Sequence, residues 1–80
     1  MHEPGILMHI VKTVMRIAEQ NCIETVKHIT IEVGEASGFV PHYLKKLFPV
    51  AADAYPALKK TKLIICTVLG KGLTIKEIGY

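Results

Sequence analysis

The chain has no tryptophan, and its aromatic content is three tyrosines and two phenylalanines. A nucleic-acid reader needs stacking rings or a basic stripe. A net charge of +3, carried partly by the short pairs Lys45-Lys46 and Lys59-Lys60, supplies neither. The two cysteines, Cys22 and Cys66, stand alone with no C-x-x-C pair. That excludes a zinc ribbon and a thioredoxin-like redox motif, and leaves a reduced, buried thiol as the expectation for each. A phosphate loop, a nucleophile elbow and paired carboxylates are all missing, so no enzyme class is written here. There is no internal apolar run of the roughly 18 residues that a transmembrane helix requires. The first residues lack the basic start and cleavage site of a signal peptide, so the expected compartment is the cytoplasm, away from any membrane.

What is present is a compact, apolar chain. Half of the 80 residues are hydrophobic, enough for one small domain over residues 1–80. A chain of this size buries roughly 60–65% of its unfolded surface. Residues 4–20 place Leu7, Ile10, Val11, Val14, Ile17 and Ala18 at helical spacing, with Pro4 in the first turn. Residues 26–33 alternate as a strand, with Ile29, Ile31 and Val33 on one face and His28, Thr30 and Glu32 on the other. The loop Gly34-Glu35-Ala36-Ser37-Gly38 holds two glycines free to adopt positive φ. Pro41 opens a second helix whose apolar stripe runs through Leu44, Leu47, Phe48, Ala51, Tyr55 and Leu58. Pro49 is expected to kink or split that helix, and Pro56 to end it. Residues 62–68 and 73–78 read as strands around Gly70-Lys71-Gly72. The fold class is α+β: a small mixed β-sheet, two helices packed on one face, and a C-terminal β-hairpin. If Met1 to Glu3 is extended, it adds a further short strand.

The opening Met1-His2-Glu3 carries the chemistry. An α-amino group stands beside an imidazole, so the Met1 amine, the His2 amide and the His2 ring offer three nitrogens to one ion. Such a set suits square-planar Ni(II) or Cu(II). Histidine is too large to favour removal of the initiator methionine, so this start is expected to persist. Glu3 offers its amide nitrogen, its carboxylate, or simply an acid at a helix start. Of the other histidines, His9 lies on the polar helix face, His28 shares a strand face with Glu32, and His42 sits in the first turn of the second helix. His42 and Glu35 are the candidates for a further donor or an orienting group if their loop folds toward Met1.

These pieces, in this order, resemble the HypA family of hydrogenase maturation nickel metallochaperones. Met1-His2-Glu3 matches the family's opening, and residues 29–38 match its strand and G-E-x-S-G turn. A helix with Phe48 follows, and residues 72–78 resemble its last strand. The resemblance implies a nickel site at Met1, His2 and Glu3, with Ni(II) as cargo. It also implies work with an accessory GTPase and delivery to the large subunit of a nickel-iron hydrogenase, or to urease in related systems. Two departures stand out. The family's zinc-binding insertion, with two C-x-x-C pairs between the last two strands, is replaced by Val68-Leu69-Gly70-Lys71-Gly72, so no structural zinc is expected. Phe39 and Val40 also stand where some members carry a carboxylate. The alternative expectation is a zinc-less relative acting as a non-catalytic interaction or regulatory module, with a homodimer through exposed sheet edges as one form.

Overall fold

The computed structural model describes residues 3–80, with side chains from residue 5 onward. The order of elements is α1 (Glu3–Gln20), β1 (His28–Gly34), α2 (Pro41–Ala52), a 3-10 turn (Pro56–Leu58), β2 (Lys62–Val68) and β3 (Leu73–Gly79). Glu3 is already helical, while Met1 and His2 lie outside the described residues, so the expected extra strand is not formed at Glu3. The apolar stripe of α1 buries Leu7, Ile10, Val11, Val14 and Ala18; Ile17 is half-buried at its edge.

The end of α1 shows a termination that the sequence conceals. Cys22 adopts φ 57°, in the left-handed region. The Ile23 amide donates to the Ala18 carbonyl at 2.8 Å, and the Cys22 amide to Glu19 at 3.4 Å. This is a Schellman closure, whose left-handed position is normally glycine. Cys22 is exposed there, which corrects the expectation of a buried thiol; Cys66 is half-buried, and both are free. A left-handed residue with a Cβ costs about 1–2 kcal/mol, and glycine's extra unfolded-state entropy offsets part of that. Cys22→Gly is therefore expected to stabilise the protein by about 0.5–1 kcal/mol. Urea denaturation of the two proteins side by side measures it, and a loss of stability would contradict the assignment.

The sheet has three strands in the order β2-β1-β3. β1 pairs with β2 in parallel, connected through α2, and with β3 antiparallel, with an irregularity between Thr30 and Ile31. The C-terminal β-hairpin turns where the sequence places it and opens around β1. Its two arms bond the two edges of that strand, not each other. The central place suits β1, the most deeply buried of the three strands: Ile29, Ile31 and Val33 join the core, and even Thr30 is only 8% exposed.

Because β2 and β3 flank β1, residues 69–72 must cross over its C-terminal end. They do so at Gly34, the last residue of β1. The crossing is held by three backbone bonds: Gly34 N–H to Gly72 O at 2.7 Å, Glu35 N–H to Val68 O at 2.8 Å and Ala36 N–H to Gly70 O at 2.9 Å. A Cβ on Gly34 would lie 2.6 Å from the Gly70 carbonyl carbon and 2.9 Å from the Lys71 nitrogen. Of the two loop glycines, Gly38 takes the positive φ, 85°, and Gly34 serves close approach instead.

The second helix is shorter and less broken than its prolines suggest. Pro49 lies inside a single helix from Pro41 to Ala52, so the expected split does not occur. The missing proline N–H leaves the Lys45 carbonyl without its helical donor, and Lys45 is exposed, so water can serve it. The helix ends before Tyr55 and Pro56. Leu58 reaches the core from the 3-10 turn instead.

Candidate metal centre

The described part of the candidate centre is the start of α1. Its first turn begins at Glu3, with Met1 and His2 immediately ahead in sequence and outside the described residues. Beyond that turn the surroundings are apolar. Leu7 and Met8 of α1 face Leu47, Val50, Ala51 and Ala54 across a groove of about 290 Å³. Among the described residues no carboxylate or imidazole lines that groove, so none of them offers a metal ion an oxygen or nitrogen side chain there.

The remaining candidate donors are spread over the molecule. His9 is exposed on α1. His28 meets the neighbouring strand, where its Nε2 lies 3.6 Å from a Glu77 carboxylate oxygen. Glu32 in turn lies 3.9 Å from the Lys76 ammonium. The expected His28–Glu32 pair is thus resolved into two cross-strand contacts with β3. His42 is exposed in the first turn of α2, with its ring 5.9 Å from that of Tyr43. Glu35 is exposed in the turn after β1, where its backbone, not its carboxylate, makes the hydrogen bond to Val68. Among the described residues no three His, Cys, Asp or Glu side chains come together as a metal site.

This scatter separates two kinds of signal. A strand period shows that His28 and Glu32 share a face, but not which neighbour each meets. The partners follow from strand order, which the alternation of a single strand does not contain.

Comparison with known proteins decides the family. The HypA family model, described as hydrogenase/urease nickel incorporation metallochaperones, matches residues 1–76. The chain belongs to the HypA family. As a HypA protein it is a nickel metallochaperone of hydrogenase or urease nickel incorporation. Its fold is similar to the solution structure of the Ni metallochaperone HypA from Helicobacter pylori, with a TM-score of 0.79 and 14% identity. That match covers 96% of this chain and 72% of the other. A second solution structure of HypA protein gives a TM-score of 0.73 at 17% identity, over 82% of this chain and 56% of that one. No curated protein matches the sequence. The HypA match takes in Met1, His2 and Glu3 at one end and stops within β3 at the other.

Proposed function

We propose that this HypA protein carries Ni(II) at its amino terminus, through the Met1 amine, the His2 amide and ring, and Glu3, for delivery to a nickel-iron hydrogenase. The observation that carries the reading is the family match beginning at the residues whose nitrogens suit square-planar nickel. The donor chemistry supports it. Binding displaces a proton from an amine with an ordinary pKa of about 7.7–8, displaces the proton of the His2 amide nitrogen, which ligates only once deprotonated, and requires a neutral imidazole. Met1 precedes a helix start whose exposed amides carry partial positive charge, which favours the deprotonated amine over the ammonium.

The mechanism is ligand exchange, not catalysis. A site built from a chain end is open on most sides, so an acceptor's thiolates or imidazoles can replace its nitrogens one at a time. The acceptor in this reading is the hydrogenase large subunit, and the accessory GTPase of the pathway times the exchange in the cytoplasm. Intrinsic affinity would favour Cu(II) over Ni(II) at such a site, so choice of metal rests with partners and supply.

The direct test compares protein carrying a free amino terminus with the same protein acetylated there. Calorimetric titration is expected to show one Ni(II) per chain in the first and none in the second. Equal binding by both would sink the amino-terminal site.

A further inference from the structure

We propose that the free edge of β2, together with the lysines beside it, is a docking site for an extended acidic segment of a partner protein, which adds to the sheet as a fourth strand. The proposal stands apart from the nickel site, since the edge and groove it assigns to the partner are formed by residues from His42 onward.

The first observation is the open edge. β2 is a terminal strand of the sheet. The Lys62 amide donates to the Lys27 carbonyl, and the Val68 carbonyl accepts from Glu35. Both ends of the strand therefore fix the alternation: residues 62, 64, 66 and 68 bond β1. The N–H and C=O groups of Leu63, Ile65 and Thr67 then point to the unpaired side. After Lys62 the strand reads Leu-Ile-Ile-Cys-Thr-Val, with no charge and no proline. Edges are normally blunted by one or the other. This one is a ready template for strand addition.

The second observation is charge. A groove of about 620 Å³ runs between α2 and the start of β2, rimmed by His42, Lys45, Lys46 and Lys62. Phe48 and Leu63 line it and are nearly fully buried. Among the described residues no Asp or Glu lines it. Among the described residues none of the three lysines has a carboxylate within ion-pair distance. Lysines placed to repel a stray strand belong along the strand itself, where Lys62 stands at the first position alone, whereas Lys45 and Lys46 sit on the helix facing it. Unpaired cations beside an open backbone edge fit a strand carrying carboxylates.

The same features argue against the other occupants. A second copy bringing its own β2 would set these lysines against their equivalents. A nucleic acid would find phosphate contacts but few rings in the groove to stack on: among the described lining residues Phe48 is 3% exposed and His42 alone presents an open ring.

The test uses metal-free full-length protein and a short fluorescein-labelled peptide alternating Glu and Val. Three comparisons are read by fluorescence anisotropy. The doubly reversed variant Lys45→Glu/Lys46→Glu is expected to bind at least about tenfold more weakly, a difference of about 1.4 kcal/mol. A peptide N-methylated at alternate residues, on its strand-pairing side, is expected to lose binding to unaltered protein. An oligothymidylate is expected not to displace the peptide. Binding indifferent to N-methylation would reduce the site to a charged patch and overturn strand addition. Binding indifferent to the charge reversal, or displacement by the oligonucleotide, would overturn the acidic partner, and so would failure of the parent protein to bind the peptide. His2→Gln is expected to bind the peptide like the parent, so this result and the nickel result can fail separately.

Discussion

His2→Gln is expected to abolish stoichiometric Ni(II) binding by untagged protein, with affinity falling at least about a hundredfold. Loss of the ring removes one of three nitrogens and the chelate that it closes, a larger loss than the roughly 10–100-fold that follows when only a supporting group around a metal ligand is removed. Glutamine is the informative replacement. Alanine at the second position is small enough to invite removal of Met1, which would move the amine and confound the result. His9→Gln, His28→Gln and His42→Gln are expected to retain binding: His28 and His42 lie on β1 and α2, and His9 lies more than one helical turn along α1 from Glu3. The parent site is also expected to weaken as pH falls. The ordinary amine titrates at about 7.7–8 and imidazole at about 6.5, so lowering the pH from about 7.5 to 6.5 leaves the amine almost wholly protonated and the imidazole about half protonated, and nickel must displace those protons. Each displaced proton weakens binding by up to about tenfold per pH unit. Calorimetry at the two pH values reads both effects. A variant that binds nickel as tightly as the parent, or an affinity flat with pH, would remove the amino terminus from the function.

The elements and the site were legible to different degrees, for identifiable reasons. Helical spacing in α1 and alternation in β1 are local properties, and Leu7, Val11, Val14, Ile29, Ile31 and Val33 are all buried as their periods require. Strand order is not local. A glycine-rich turn between two consecutive strands reads the same whether they bond each other or straddle a third, and the buried length of β1 decides for straddling. The close of α1 was hidden because cysteine, not glycine, takes the left-handed position at residue 22. The groove beside β2 was also invisible. Its lysines come from pairs that look like ordinary solvated surface until α2 and β2 are set side by side. The proposed metal-binding start is the reverse case. Its donor set, the Met1 amine with the His2 amide and ring, is named by the sequence, and the fold adds the start of α1 beside it.

The crossing at Gly34 predicts the largest change in stability. Gly34→Ala is expected to lower stability by about 2–5 kcal/mol. The added methyl meets backbone, not a side chain that can swing away: the Gly70 carbonyl and the Lys71 nitrogen, the latter at 2.9 Å. Overpacking of this kind costs about 1–3 kcal/mol. Relieving it by lifting residues 69–72 also stretches the bonds to Gly72, Val68 and Gly70, each worth about 0.5–1.5 kcal/mol net. A chain of 80 residues has a total stability of about 4–12 kcal/mol, so the variant stands near the limit of folding. At roughly 4–8 °C per kcal/mol, its melting temperature is expected to fall by more than about 8 °C. Gly79→Ala is the matched control. The nearest atoms to its Cβ would be those of the His28 ring, a side chain that can rotate at the expense of its contact with Glu77. That exposed contact is worth at most about 1 kcal/mol, so thermal unfolding of Gly79→Ala should shift little. Equal melting temperatures for the two variants would mean that the link does not press on β1. The link between β2 and β3 would then be a loose connection, whereas the three short bonds at Gly34 describe a clasp holding both edge strands to the central one.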